Sequence, residues 1–263
     1  MLTRLTPEQR AAGVITYSSG NHGLAVAVAA RSLHAPAVVV VPETVAAVKL
    51  EGIRRAGAEV IAAGTTVIDR RLRAEQEASA RGLTMVPPFD HEWIIAGAGT
   101  LGLEIVEQLP DVGTVYVPLG GGGLASGVAT ALKLSRPGVH VIGVEPAGAP
   151  KMTASFAAGQ PVTLARTESI ADGLLSLRPG DLTFAHLRQY LDAVRQVDED
   201  AIAAAVRWLF SEARLVVEPS GAVSVAAALA QMTQDTSPHV AVISGGNVDP
   251  DRFIRCLIDA RPT

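Results

Sequence analysis

Residues 114–124 of the chain read TVYVPLGGGGL, and this stretch decides the fold class. Its first four residues favour a buried strand, because β-branched and aromatic side chains predominate there. Four glycines follow at 120–123, and a predicted helix over 124–134 begins directly after them. A turn needs one or two glycines, so a row of four, which costs backbone entropy, favours a cradle of backbone N–H groups for a phosphate. The stretch predicts a strand, loop and helix of an α/β protein with a ligand at the strand end.

The same loop also fits a second class of ligand. Gly120, Gly122 and Ala125 match the G-x-G-x-x-A pattern of dinucleotide-binding folds. Glu145 lies at the end of the next predicted strand, where such folds place an acid on the ribose. An NAD-dependent Rossmann dehydrogenase is therefore an alternative.

Apolar runs alternate with amphipathic stretches along the whole chain, which predicts parallel sheets with helices on both faces. The predicted strands are 13–17, 37–41, 59–63, 84–86, 114–117, 139–144, 193–196 and 240–243. The predicted helices are 22–33, 45–55, 67–81, 94–107, 124–134, 199–210, 222–231 and 252–258. Pro87 and Pro88 interrupt the pattern, so we expect a small α/β domain over 13–89. A larger α/β domain is expected over 90–263 together with 1–12.

The composition excludes several classes of function. Of the 263 residues 48% are hydrophobic and 18% charged, which argues against disorder. A net charge of -4 without a basic run argues against nucleic acid or an anionic membrane as partner. The single cysteine, Cys256, and a charged N-terminus without an apolar core lead us to expect a cytoplasmic protein.

Two further glycine-rich turns occupy equivalent places. Residues 18–23 read SSGNHG after the first predicted strand, and residues 244–247 read SGGN after the last. Each of them alone is explained as a helix cap or a turn, because Ser and Asn serve both purposes. The dehydrogenase alternative assigns neither turn a role.

The three turns occur in a characteristic order with other motifs. These motifs are PFD at 88–90, IAGAGTLGLE at 95–104, GVEP at 143–146, SIADG at 169–173 and VEPSGA at 217–222. Together they resemble the serine/threonine dehydratase and serine racemase family of fold-type II pyridoxal-phosphate (PLP) enzymes, over essentially the whole chain. The resemblance implies a tryptophan synthase beta-like fold, PLP as cofactor and a lyase of amino-acid metabolism.

The resemblance also implies roles for individual residues. Those expected to bind the cofactor are Gly120, Gly121, Gly122, Gly123 and Leu124 at the phosphate, Asn21 at the 3′-oxygen, Ser244 at the ring nitrogen and Glu218, expected to end an apolar strand, at the ring face. Those expected to bind the substrate are Ser18, Ser19, Gly20, Asn21, His22 and Asp172. Ser19 is also the candidate acid/base, whereas capping or packing describes His22 better than catalysis.

This chain departs from the family pattern at the lysine that forms a Schiff base with PLP. That lysine lies in a Ser-Phe-Lys-x-Arg-Gly segment upstream of the first turn, but the lysines here are Lys49, Lys133 and Lys151, none in such a motif. The resemblance therefore implies a chain that begins after this segment, with the larger domain incomplete at its N-terminus and little activity as written. An inert or PLP-binding fragment, or a pseudoenzyme, is the corresponding alternative.

A second departure concerns metal. In racemase-like members the glutamate that matches Glu145 binds a divalent cation together with an aspartate, whose place Lys151 takes here. A lysine would neutralise the same negative charge without an ion. We therefore expect Glu145 and Lys151 to form a charge pair and no metal site.

The leading hypothesis is PLP-dependent β-elimination from L-threonine or L-serine to a 2-oxo acid and ammonia, with serine racemase as an additional activity. A β-replacing synthase of the same fold ranks lower, because its relatives carry Thr-Ser-Gly-Asn-Thr where this chain has SGNH at 19–22. The resemblance further implies a homodimer that acts on a small-molecule amino acid.

Overall fold

The computed structural model describes residues 1–18, 20–45, 47–231 and 237–258. The chain forms two compact units, Met1–Pro88 and Phe89–Thr263. Residues 1–12 cluster with the first unit in this chain, and their predicted place in the larger domain of a longer enzyme stays a prediction.

The first unit contains a four-stranded parallel sheet in the order β3-β2-β1-β4. Its strands are β1 (Val14–Thr16), β2 (Ala37–Val41), β3 (Glu59–Ala62) and β4 (Thr84–Met85). Its helices are α1 (Pro7–Ala12), α2 (Asn21–Ser32), α3 (Ala47–Arg55) and α4 (Val67–Arg81), with a 3-10 turn at Leu2–Arg4. Every residue of β2 is buried, as expected of a valine run in a parallel sheet covered on both faces.

The second unit contains another four-stranded parallel sheet, in the order β7-β6-β5-β8. Its strands are β5 (Thr114–Pro118), β6 (His140–Pro146), β7 (Ala193–Val197) and β8 (His239–Ala241). Its helices are α5 (Glu92–Gln108), α6 (Gly123–Ser135), α7 (Lys151–Ala158), α8 (Asp181–Tyr190), α9 (Glu199–Ser211), α10 (Pro219–Gln231) and α11 (Pro250–Ile258). A 3-10 turn spans Asp172–Leu174.

Glycines let α5 and α6 pack with their backbones close together. A Cβ at Gly127 of α6 would lie 2.2 Å from the Ile95 carbonyl oxygen, and one at Gly102 of α5 would lie 2.8 Å from the Val128 carbonyl oxygen. The glycine-rich motif at 95–104 therefore has a packing role. It fixes α6, and with it the glycine loop at 120–123 from which α6 begins.

The predicted fold class, two parallel sheets flanked by helices, is confirmed. One local expectation was wrong: the apolar stretch that Glu218 ends is no strand. Leu215 donates its N–H back to the Leu209 carbonyl, and Glu218 donates to Gly245, so the segment is a loop that leaves α9. None of the helices in the described part of the chain combines the length and apolarity that crossing a membrane requires.

Candidate active site

The second and third glycine-rich turns lie at the same edge of the second sheet. Strand β5 pairs with β6 on one side and with β8 on the other, all parallel, so their carboxyl ends share an edge. Beyond β5 and β8 the pairing continues, because Leu119 N donates to Val144 O at 2.7 Å and Val242 N to Tyr116 O at 2.9 Å. The loop at 120–123 and exposed Ser244 both follow directly. Ligands of open α/β sheets bind at this edge.

Three of the four loop glycines have no room for a side chain. A Cβ at Gly121 would lie 2.4 Å from the Phe89 ring, and one at Gly123 would lie 2.9 Å from the backbone of Phe89. At Gly122, φ is +102°, which favours glycine, and a Cβ would lie 2.9 Å from Thr183. These glycines therefore let the loop pack closely on Phe89 and Thr183.

A relay of hydrogen bonds holds the loop. The Asp90 carboxylate accepts the N–H groups of residues 181–183 at 3.0 to 3.1 Å and so caps the start of α8. Thr183 in that first turn donates its hydroxyl to the Gly121 carbonyl at 2.7 Å, and Gly180 N donates to the same carbonyl at 3.2 Å. Sequence reasoning missed Thr183 and the capping by Asp90, although PFD at 88–90 had been noted.

Helix α6 begins at this loop without a side-chain cap. Gly122 is its N-cap residue, and no side chain accepts a hydrogen bond there. The first N–H groups of a helix have no partner within the helix, and the helix dipole adds a partial positive charge. Leu124 packs partly buried against the core, so its contribution to a ligand would be its backbone N–H. This geometry suits a phosphate.

Glu145 is fully buried, and its carboxylate is occupied. It accepts the N–H groups of Met152 and Thr153, both at 2.9 Å, and the Thr153 hydroxyl at 2.6 Å. Glu145 therefore caps the start of α7. The dinucleotide alternative needs an exposed acid here to bind the ribose, and this carboxylate does not provide one.

Lys151 is fully buried beside Glu145. The Nζ–Oε2 distance is 3.7 Å, which confirms the charge pair. Burial lowers the pKa of Lys151 to about 8, because desolvation disfavours the charged form more than Glu145 favours it. The ammonium also donates to three backbone carbonyls, those of Leu119, Ala149 and Leu174.

The remaining candidates of this unit lie near the loop. A Cβ at Gly120 would lie 3.4 Å from the Gly173 carbonyl oxygen, and Gly173 N donates to the Ser220 hydroxyl at 2.9 Å. Asp172, next to Gly173, forms an ion pair with Arg252 of α11 at 3.0 Å. This pair connects the 3-10 turn at Asp172–Leu174 to α11.

Glu218 connects this region to the third turn. It is buried, and its N–H donates to the Gly245 carbonyl at 3.1 Å. A Cβ at Gly221 would lie 2.8 Å from the same carbonyl oxygen, so the start of α10 approaches residues 244–247 closely. The structure thus brings four of the motif segments of this unit together: residues 120–123, 172–173, 218–221 and 244–247.

The first turn lies in the other unit, at the start of α2. Ser19 lies outside the described residues. Gly20 is the N-cap residue without a side-chain cap, and Asn21 is the first, exposed residue of the helix. A Cβ at Gly23 would lie 1.8 Å from the Ser18 carbonyl oxygen, so only glycine permits this tight turn. Its backbone, too, suits an anion such as a carboxylate.

His22 has a structural contact. Its Nε2 lies 3.2 Å from the Val86 carbonyl oxygen, just beyond β4. Burial lowers the pKa of His22, and the hydrogen bond to Val86 opposes this only in part. The neutral ring thus ties the start of α2 to the end of β4, which agrees with packing as its main role.

The lysines of the second unit are engaged elsewhere. Lys133 pairs with Asp192 at 2.7 Å near the end of α6, and Lys151 is enclosed as described. Lys49 lies on α3 of the first unit. None of the three lies in a Ser-Phe-Lys-x-Arg-Gly motif, the motif of the family's Schiff-base lysine.

Comparisons with known proteins agree with this geometry. A family model described as pyridoxal-phosphate dependent enzyme matches residues 1–245. The biosynthetic L-threonine dehydratase of Salmonella typhimurium is 41% identical over 256 residues, which cover 95% of this chain and 49% of that protein. A serine racemase of Oryza sativa subsp. indica is 38% identical over 251 residues, which cover 93% of this chain and 74% of that protein.

A solved structure, the processed form of threonine deaminase isoform 2 from Solanum lycopersicum, superposes with a TM-score of 0.94 at 37% identity. The match covers 99% of this chain and 77% of that one. The chain spans about half the length of the biosynthetic threonine dehydratase that it matches. From the family match and these relatives, the chain belongs to the family of pyridoxal-phosphate-dependent enzymes, in the group of threonine dehydratases and serine racemases.

Proposed function

We propose that this chain supplies the cofactor- and substrate-binding parts of a PLP-dependent ammonia-lyase. The enzyme would convert L-threonine or L-serine to a 2-oxo acid and ammonia, with serine racemisation as an additional activity. The glycine loop at 120–123 carries the proposal. It lies at the ligand-binding edge of the sheet and begins a helix without a side-chain cap.

The residues of the second unit fit the phosphate of this cofactor. The backbone N–H groups of 120–124 and the dipole of α6 favour a dianion without any cationic side chain. Phe89, Asp90 and Thr183 hold the loop in place from behind. When bound, PLP supplies an electron sink that makes the α-proton of an amino acid acidic.

Ser244 and the first turn would orient the reacting groups. A serine hydroxyl at the ring nitrogen carries no charge, so it would not keep that nitrogen protonated. The ring would then be a weaker electron sink, which would favour rapid loss of a β-hydroxyl over transamination. The N–H groups at the start of α2 would hold the substrate carboxylate beside Ser18 and Ser19, and Asn21 would bind the 3′-oxygen. Ser19 would then move a proton at the substrate α-carbon.

A second candidate function is binding of PLP without turnover. The observation that favours it is the engagement of Lys133 with Asp192 and of Lys151 with three carbonyls. Neither amine is available to hold the cofactor covalently.

The test compares the affinities for PLP and for pyridoxal, which lacks the phosphate, by absorbance and fluorescence titration. Gly120→Ala adds a methyl group that the fold tolerates, at 3.4 Å from its nearest neighbour, but that crowds the cradle. We expect it to weaken PLP binding about tenfold, or ~1.4 kcal/mol, and to leave pyridoxal binding unchanged. Gly138→Ala, where a Cβ meets nothing within 4 Å, is the matched control.

Binding of NADH instead of PLP, or of neither, would refute the proposal. Release of 2-oxo acid from L-threonine and L-serine, assayed in parallel, separates turnover from binding alone. The proposal also includes a homodimer and a cytoplasmic location, which light scattering and cell fractionation would test.

A further inference from the structure

The ammonium of Lys151 joins three separate segments of the second unit. It is fully buried and donates to one carbonyl in each of them. The acceptors are Leu119 O at 2.9 Å, before the glycine loop, Leu174 O at 3.0 Å, in the 3-10 turn, and Ala149 O at 3.1 Å, between β6 and α7. An ammonium has three N–H donors, so this environment matches its full capacity.

Glu145 supplies a negative charge beside this ammonium. Glu145 Oε2 lies 3.7 Å away, and both carboxylate oxygens accept hydrogen bonds from the start of α7. A buried charge is tolerated when it is paired and hydrogen-bonded, and removing one partner of such a pair is strongly destabilising. The pair therefore fixes the relative positions of β6, α7 and the end of β5.

The bond to Leu119 has a direct effect on the loop. The Leu119 carbonyl and the Gly120 N–H belong to one planar trans peptide group, so the two point in opposite directions. Lys151 fixes the direction of the carbonyl and thereby the direction of the Gly120 N–H. The positive charge of Lys151 beside the Leu119 carbonyl oxygen also polarises this peptide group, which strengthens the Gly120 N–H as a donor.

The bond to Leu174 fixes the neighbouring segment. Gly173 approaches Gly120, where a Cβ would lie 3.4 Å from the Gly173 carbonyl oxygen. Holding both Leu119 and Leu174 on one ammonium thus sets the spacing between the loop and the Asp172–Leu174 turn.

We propose that Lys151 is a positioning residue that orients the first peptide of the glycine loop for binding an anionic group. That the anion is the phosphate of PLP rests on the proposed function. The effect on the loop itself does not, because it follows from hydrogen bonds within the protein.

The first test measures amide hydrogen exchange in the protein without ligand. Lys151→Met retains much of the side-chain volume but loses the charge and all three hydrogen bonds. We expect amides of residues 119–124 and 172–175 to exchange about tenfold faster or more, as the loss of a charged hydrogen bond implies. Lys133→Met, which removes a partly exposed ion pair on α6, should leave them unchanged. Unchanged exchange in a folded Lys151→Met protein would overturn the proposal.

The second test measures the ratio of the dissociation constants for pyridoxal and PLP. General loosening of the fold weakens both ligands, whereas a misdirected loop weakens PLP alone. We expect Lys151→Met to lower this ratio about tenfold. An unchanged ratio with normal PLP binding contradicts the inference. Failure of the wild-type chain to bind PLP contradicts the proposed function instead, and the exchange experiment still decides the role of Lys151.

Chemical rescue covers the case in which Lys151→Met does not fold. Lys151→Ala leaves a space bordered by three carbonyls and the Glu145 carboxylate, which suits a small cation with N–H donors. Methylammonium should restore folding and PLP affinity, whereas tetramethylammonium, which has no N–H, should not. Equal effects of the two cations, or none from either, would show that Lys151 acts by side-chain packing.

Discussion

His22 illustrates how burial at a single residue makes stability depend on pH. Its pKa is lowered in the fold, so the unfolded chain takes up the proton more readily. The contribution of His22 is therefore fully present above its ordinary pKa near 6.5 and is lost as the pH falls toward the lower pKa of the folded state. We expect the free energy of unfolding to decrease from about pH 7.5 to about pH 5.5.

Urea unfolding of the wild-type protein and of His22→Gln across this range would measure the effect. Glutamine retains an N–H donor for Val86 but does not titrate, so its profile should be flatter. His34→Asn, at an exposed histidine, should retain the wild-type slope. A slope that persists in His22→Gln would assign the effect to another group.

The same residue shows what sequence reasoning reached at the residue scale. The motif SSGNHG at 18–23 placed His22 correctly at a helix start, but its partner Val86 lies 64 positions away. Similarly, the pairing of Glu145 with Lys151 could be predicted from the family resemblance, whereas the three carbonyls around Lys151 could not. Contacts of this kind depend on how distant segments fold together, and no local spacing encodes them.

At the scale of elements, glycine determines how closely α5 and α6 approach. Gly127→Ala would bring a methyl group to within 2.2 Å of the Ile95 carbonyl oxygen, so a helix must move. We expect a loss of about 1–3 kcal/mol in the free energy of unfolding, as for other overpacked sites. Gly97→Ala on α5, where the added Cβ meets nothing within 4 Å, should be neutral or should stabilise by up to ~1 kcal/mol. Denaturant titrations of both variants check this, and equal stability would contradict the packing role.

The missed elements have a physical reason. The eight strands of the described residues were predicted near their observed positions, because short runs of β-branched and other apolar residues between turn signals indicate strands. Helices α7 and α8 were not predicted, and neither has a side-chain cap from its own N-cap residue. Glu145 and Asp90 cap them from other segments instead. A start signal of this kind cannot be read from the local sequence.

At the scale of the whole molecule, we predict from the family resemblance that Asn21 and Ser244 each hydrogen-bond the ring system of PLP. Asn21→Ala and Ser244→Ala should then each change the absorbance of bound PLP, since each removes a hydrogen bond to the ring system. Ser32→Ala, whose hydroxyl donates to Val28 within α2, is a control that should leave the spectrum unchanged. A spectrum that responds to Ser244→Ala but not to Asn21→Ala would contradict the predicted role of Asn21.

The last prediction concerns turnover by the chain as given. The lysine amine that holds PLP in enzymes of this type also serves as a base for the α-proton, and Lys133 and Lys151 are engaged in other contacts. We expect the 263-residue polypeptide by itself to bind PLP and to release little 2-oxo acid from L-threonine or L-serine. A form extended at its N-terminus with the Ser-Phe-Lys-x-Arg-Gly part of a threonine dehydratase relative should release much more. The measurement compares 2-oxo acid release by the two forms at equal PLP occupancy. Equal rates would mean that a residue within these 263 performs the role of the lysine. Lys49→Met would then test whether Lys49, the third lysine of the chain, is that residue.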